Sequence, residues 1–309
     1  MIESALASVH SVIAGQEEPI RLLLIALTAR GHALLEGVPG VGKTTLAKTF
    51  ARTAGLEFSR IQLTPDLMPA DIVGHSYFDQ KAGDFKIRKG PVFAHVLLAD
   101  EINRAPPRTQ SALLEVMEEH HVTIEGQTMP VPQPFLVLAT KNPIDIEGVY
   151  PLPEAQLDRF MLFIDMDYPD LDVERDILMR KLTTSKPTES IEGLAAALHD
   201  AHERVHVDRD VLDYALAITR ATRVHPAIEL GVGPRGSEHL VSAARASAVL
   251  AGREYVIPDD IKHLAVPVLA HRLMLAPDAE VEGLEARDLL REILDATPVP
   301  IGKVAHAAD

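Results

Sequence analysis

The chain has 309 residues, 47% of them apolar and 24% charged, with a formal net charge of −15. That apolar content can build a hydrophobic core and excludes the disordered and collagen-like classes. The spread of acidic residues argues against a global positive field that grips nucleic acid, and the lack of cysteine excludes disulfides, thiolate zinc sites and cysteine nucleophiles.

No basic residue precedes Arg21, and no apolar stretch approaches the about 20 residues that span a bilayer. The sequence therefore reads as a soluble, cytoplasmic protein. Ile20, Leu23, Leu24 and Leu27 fall on one face of a first helix. His32 to Glu36 reads as a strand, Thr44 to Ala54 as a helix and Phe58 to Leu63 as a second strand. Val96 to Ala99 is apolar throughout, the pattern of a strand buried on both faces. Thr109 to Glu119 is helical, with Leu113, Leu114 and Met117 on one side. Phe135 to Thr140 and Met161 to Met166 complete five strands. Two segments break this alternation. Tyr77 to Arg88 surrounds the turn signal Lys81-Ala82-Gly83-Asp84, and Val122 to Val131 surrounds Glu125-Gly126. Each reads as a hairpin. After the linker Thr183 to Pro187, helical patterns take over at Ile191–Val205, Asp210–Ala221, Gly236–Leu250, Asp259–Leu273 and Ala286–Leu294. The expected architecture is an α/β domain over residues 1–185, with a parallel five-stranded sheet and two hairpin inserts, and an all-α domain over 186–309.

Gly37-Val38-Pro39-Gly40-Val41-Gly42-Lys43-Thr44 fits G-x-x-x-x-G-K-[ST] in full, between an expected strand and an expected helix. The glycines allow the backbone to wrap phosphates, and the amides and helix N-terminus offer partial positive charge. Lys43 would reach the β- and γ-phosphates of ATP, and the Thr44 hydroxyl would ligate Mg²⁺. Thr45 continues the same turn. Val96-Leu97-Leu98-Ala99-Asp100-Glu101 is the expected companion, an apolar strand delivering Asp100 to the metal and Glu101 to the attacking water. On its own, such an acid pair would be a common surface turn.

These strings, with Val12-Ile13-Ala14-Gly15-Gln16-Glu17, Asp100-Glu101-Ile102-Asn103-Arg104-Ala105-Pro106-Pro107, Ala139-Thr140-Lys141-Asn142-Pro143, Glu154-Ala155-Gln156-Leu157-Asp158-Arg159-Phe160 and Gly233-Pro234-Arg235, resemble the MoxR family of AAA+ ATPases over most of the chain. The resemblance implies a P-loop AAA+ core with a helical lid, binding ATP and Mg²⁺ and hydrolysing ATP. It implies that Asn142 is the sensor 1 residue, with Lys141 standing where glutamine is expected. Arg159 matches the arginine finger offered to a neighbouring subunit; the local alternative is a pairing with Asp158 or Glu154. Arg235 matches sensor 2, acting in cis or in trans. Gly15 and Gln16 match the adenine-side segment. The hairpins match the helix-2 insert (76–89) and the pre-sensor-1 insert (122–131), which face the central pore in relatives; ordinary surface hairpins are the alternative. The family further implies self-association into a hexameric ring. Its task is chaperone-like remodelling or activation of protein complexes, often with partners carrying von Willebrand factor A domains. The rival readings are a nucleic-acid motor, since MCM helicases share the inserts, and a scaffold that binds ATP without hydrolysing it.

Two patterns lie outside this reading. His202-Glu203-Arg204-Val205-His206 fits H-E-x-x-H, a zinc protease signature. The chemistry needs both histidines on one helical face, whereas the stretch after Val205 reads as a helix end. Lys86, Arg88 and Lys89 form a local basic cluster, either a solvated hairpin strand or a contact for an acidic partner.

Overall fold

The computed structural model describes residues 15–141, 150–168, 170–182 and 190–300. Asn142, the segment Val12 to Ala14 and the linker Thr183 to Pro187 lie outside the described residues. The chain divides into two compact units, Met1–Asp200 and Ala201–Asp309.

In the first unit, α1 (Glu17–Thr28) buries Ile20, Leu23, Leu24 and Leu27, the stripe expected from their spacing. Glu17 and Glu18 in its first turn suit the positive end of the helix dipole. Then follow β1 (Ala33–Gly37), α2 (Lys43–Thr53), β2 (Phe58–Gln62) and the short α3 (Pro69–Val73). The first hairpin is β3 (Gly74–Asp79) with β4 (Asp84–Lys89), and β5 (Val96–Asp100) returns to the sheet. A 3₁₀ turn (Ile102–Arg104) leads to α4 (Pro107–Glu119), which buries Leu113, Leu114 and Met117. The second hairpin is β6 (His121–Ile124) with β7 (Gln127–Pro130). Glu125 and Gly126 between them both have positive φ, 47° and 78°, as a two-residue type I′ turn requires. After β8 (Leu136–Lys141) come the short α5 (Glu154–Leu157), β9 (Leu162–Met166), α6 (Leu171–Leu182) and α7 (Leu194–Arg204). The boundary between the units falls inside α7.

The five-stranded sheet has the order β2-β5-β8-β1-β9, and every pairing is parallel. Its inner strands are buried on both faces, which explains the unbroken apolar runs at β5 and β8. One face packs Leu34, Leu97, Ala99, Val137 and Ala139 against Leu113, Leu114, Met117 and Phe160. Apolar parallel strands thus fix the level at which each carboxyl end leaves the sheet.

The second unit continues with α8 (Arg209–Thr222), β10 (Ile228–Leu230), α9 (Pro234–Leu250), α10 (Pro258–Leu269), β11 (Met274–Leu275), α11 (Pro277–Val281) and α12 (Ala286–Ala296). Helices dominate, as expected. The expected helix over 259–273 ends at Leu269 and passes into a 3₁₀ turn at Ala270–Arg272. A short antiparallel pairing of β10 with β11 adds to the helices.

His32, just before β1, ties three elements together. Its Nε2 lies 3.2 Å from the Met117 carbonyl, and its Nδ1 accepts from the Val137 amide at 3.0 Å. This is the neutral tautomer with the proton on Nε2. Burial pushes its pKa down from 6.5 to about 4. The unfolded chain therefore binds a proton that the folded chain refuses, so this contribution to stability is complete above pH 6.5. It is lost as pH falls toward 4, by about 3 kcal/mol. Denaturant unfolding of wild type and His32→Gln at pH 7 and pH 4 should show their difference shrinking by about that amount. A pH-independent difference would contradict the neutral, buried assignment.

Candidate functional site

The loop between β1 and α2 is built by two kinds of glycine. Gly40 and Gly42 have φ of +90° and +94°, a backbone region costly for side chains, and Gly42 caps α2. Gly37 is needed for space: a Cβ there would lie 2.4 Å from the Met166 carbonyl oxygen of the neighbouring β9. No side chain caps the N-terminus of α2, and the first helical amides of 43–45 point at the loop as the donors of an anion site. Lys43 is the first residue of α2. Its Nζ donates to the carbonyls of Gly37 and Val38. Burial pushes the Lys43 ammonium below its usual range, while Asp100, Glu101 and Glu36 pull it back up.

The acid pair stands opposite. Asp100 ends β5 beside Gln62 of β2 and is only 7% exposed. Its Oδ2 accepts from Arg60 Nε at 2.8 Å and lies 2.7 Å from Nη2. Its Oδ1 accepts from the Thr140 hydroxyl at 2.9 Å. Glu101 leaves the strand in the left-handed region, φ +59°. Its amide donates to the same Thr140 oxygen at 2.9 Å, and its Oε2 accepts from Arg104 at 3.0 Å. Lys141 faces Glu36 across the β8–β1 pairing, 3.8 Å apart.

Loop and acids meet in one cleft of about 350 Å³, lined by Pro39, Gly40, Gly42, Lys43, Thr44, Thr45, Asp100 and Glu101, with Arg60, Gln62 and Thr140. The chemistry gathered there is a cation, uncapped helix amides, hydroxyls and paired carboxylates, a set suited to a polyphosphate with a hard divalent ion. The sequence motifs give no role to Arg60, Gln62 or Arg104, and no separate role to Thr140. Alternation along β2 puts Arg60 and Gln62 on one face, but nothing local says that β5 is the neighbour.

Other expected residues are not among those that line this cleft. Gly15, φ +67°, packs against Val173, whose Cγ1 a Cβ would meet at 2.4 Å, and Gln16 is buried at the start of α1. The Arg159 guanidinium pairs with Glu118 near the end of α4, 2.7 Å away. This acidic partner is distant in sequence, unlike Asp158 or Glu154 of the local alternative. Arg235 occupies the first turn of α9 in the second unit. His202 sits on α7 with Nε2 3.0 Å from the Ser242 carbonyl, whereas His206 lies beyond the helix end and bridges to Tyr255. The H-E-x-x-H spacing therefore does not put both histidines on one helical turn. On the first hairpin, Lys86 pairs with Asp79 and Lys89 lies over the Phe93 ring, so part of the basic cluster is neutralised within the fold.

Comparison with known proteins agrees with this geometry. The profile of the ATPase family associated with various cellular activities (AAA) matches residues 32–162, and that of the AAA lid domain matches 220–293. The chain is 46% identical to the uncharacterised protein YeaC of Bacillus subtilis, covering 99% of this chain and 97% of the other. It is 44% identical to the chaperone MoxR1 of Mycobacterium tuberculosis (97% and 82%) and 33% identical to protein MoxR of Methylorubrum extorquens (94% and 93%). The chain belongs to the MoxR family of AAA+ ATPases. The crystal structure of a presumed ATPase from Cytophaga hutchinsonii superposes on this MoxR-family chain with a TM-score of 0.91. It has 38% identity, over 97% of this chain and 95% of that one.

The two glycine types make separable predictions. Gly37→Ala should destabilise the core by about 1–3 kcal/mol, because the β9 carbonyl must move. Gly40→Ala meets nothing within 4 Å, and its cost is the left-handed backbone alone, about 1–2 kcal/mol. Thermal melting of both variants checks this, and a Gly37→Ala variant as stable as wild type would refute the close approach.

Proposed function

We propose that this chain hydrolyses ATP and uses the cycle as a chaperone-like remodelling or activating factor for protein complexes. The observation that carries the reading is the convergence of Lys43, Thr44, Asp100 and Glu101 on one cleft. Residues 1–185 do the nucleotide work, and residues 186–309 form the lid. Lys43 holds the β- and γ-phosphates, with the backbone from Gly37 through Val38, Pro39, Gly40, Val41 and Gly42 to Thr44 and Thr45 wrapping them. Thr44 and Asp100 offer the hard oxygen donors that suit Mg²⁺. When bound, that ion neutralises charge on the phosphates. Glu101 takes a proton from water as its oxygen bonds to the γ-phosphorus and the bond to the ADP oxygen breaks. Asn142 orients that water. Arg159 is offered to the ATP of a neighbouring subunit in a hexameric ring, and Arg235 reports nucleotide state to the lid. Gly15 and Gln16 border the adenine.

The remodelling role is supported by MoxR1 of Mycobacterium tuberculosis, a relative named as a chaperone. A von Willebrand factor A domain protein is the proposed client class. No described helix is long and apolar enough to cross a membrane, and the proposed location is cytoplasmic. The net charge of −15 weighs against the nucleic-acid motor, and unchanged ATPase activity on adding DNA is the expected result.

Glu101→Gln should leave ATP affinity unchanged and lower turnover by about 10²–10⁴-fold, because the amide keeps the shape but takes no proton. Steady-state ATPase assays with calorimetric binding check this. Equal turnover would remove Glu101 from its role, and a wild-type chain that binds ATP without turning it over would favour the scaffold.

The ring makes its own prediction. Arg159→Ala and Lys43→Ala should each be nearly inactive, since such fingers are worth about 10³–10⁵ in rate. Mixed rings should recover activity, because some sites then join an intact Lys43 to a neighbour's Arg159. Native mass spectrometry verifies co-assembly, and wild type doped with either variant must stay active. Given both controls, no recovery at any ratio would reject the trans finger.

A further inference from the structure

Thr140 directs its hydroxyl at the acid pair. The oxygen donates its hydrogen to Asp100 Oδ1 and accepts the Glu101 amide hydrogen, both at 2.9 Å. A threonine hydroxyl has one hydrogen and two lone pairs, so these two bonds use its only hydrogen. Thr140 is 2% exposed and is the next-to-last residue of β8, where the sheet presents it to the end of β5. Water therefore has little access to replace either bond.

Both contacts fall on atoms whose direction matters. The Asp100 carboxylate is held from two sides, by Thr140 on Oδ1 and by the Arg60 guanidinium on Oδ2. Among the described residues, Thr140 is the hydrogen-bond partner that opposes Arg60 from the β8 side, so losing the hydroxyl lets the carboxylate turn toward the guanidinium. Glu101 has a left-handed backbone, φ +59°, a conformation that disfavours any residue with a Cβ. The hydrogen bond that its backbone N–H donates to Thr140 holds the chain there, and that backbone turn sets where the Glu101 side chain starts.

We infer that Thr140 is a positioning residue that aims the Asp100 carboxylate at the divalent ion and fixes the Glu101 backbone for the attack on ATP. The inference rests on the functional reading above and gives Thr140, which lines the same cleft, a role exerted through Asp100 and Glu101. Donors behind a metal-ligating carboxylate typically matter by 10–100-fold in metal affinity or activity.

The test compares Thr140→Val, nearly the same shape without the hydroxyl, with Thr140→Ser, which keeps it. Calorimetry measures ADP affinity with and without Mg²⁺, and ATPase assays measure the Mg²⁺ concentration at half-maximal rate. Thr140→Val should keep the Mg²⁺-free ADP affinity and lose most of the Mg²⁺ enhancement. Its half-saturating Mg²⁺ concentration should rise about 10–100-fold, and Thr140→Ser should restore both. A Thr140→Val chain with wild-type Mg²⁺ dependence would overturn the inference. So would a variant that loses turnover with its Mg²⁺ dependence intact, or a serine variant as impaired as the valine. Thr140→Ala repeats the comparison if valine alone prevents folding, and a failure of both to fold would assign Thr140 to stability and overturn the positioning role. A wild-type chain with no Mg²⁺-dependent ATP turnover would instead remove the functional reading itself, which separates the two failures.

Discussion

Parallel pairing sets Ala99 of β5 beside Ala139 of β8, and Leu35 of β1 beside Thr140. The polar contacts of the cleft follow from that register. Side chains alternate faces along a strand, so a slip by one residue would turn the Thr140 hydroxyl away from Asp100. The slip is resisted by the apolar residues of the same strands, which are buried on both faces and would all move with it. A hydrophobic constraint thus sets a hydrogen-bond geometry. The same logic applies at Gly37, where close contact with the β9 carbonyl fixes where the phosphate loop leaves the sheet.

The cleft keeps its own charge balance inside an acidic chain. Asp100 faces Arg60, Glu101 faces Arg104 and Glu36 faces Lys141, while Lys43 stands among all three acids. Four cations therefore accompany three carboxylates, and the amides of α2 add partial positive charge. A polyanion entering here meets Lys43, Arg60 and these amides despite the overall −15. Burial disfavours the Lys43 ammonium and the neighbouring acids favour it, so those acids help keep the lysine charged.

The hairpins leave the core as two-stranded ribbons, which are marginal on their own. They are anchored on the core: Ile87 packs on it from β4, as do Val122, Ile124 and Met129 from the second hairpin. Toward the tip of the first, Phe78 and Phe85 pack edge to face at 5.3 Å, yet stay 52% and 69% exposed. Cross-strand aromatic pairing of this kind stabilises a ribbon without burying it.

The five strands, the two hairpin turns, the phosphate loop and the acid pair are legible in the sequence, because each rests on rules that act within a few residues. Glycine tolerates positive φ at 40, 42 and 126, apolar runs mark strands buried on both faces, and Leu113, Leu114 and Met117 recur at helical spacing. Tertiary structure decided the partners. Arg60 and Thr140 each lie 40 residues from Asp100 in sequence, and only the order β2-β5-β8 makes them its neighbours. Arg159 fits a local pair with Asp158 or Glu154 by spacing, but the fold brings Glu118 from α4 to it. His206 fits a zinc ligand by spacing, but α7 ends at Arg204 and the histidine joins Tyr255. The physical reason is the same in each case. Local rules constrain the backbone of one segment, whereas a side chain's partner depends on which segments the core packs side by side, a choice made by the whole apolar pattern at once.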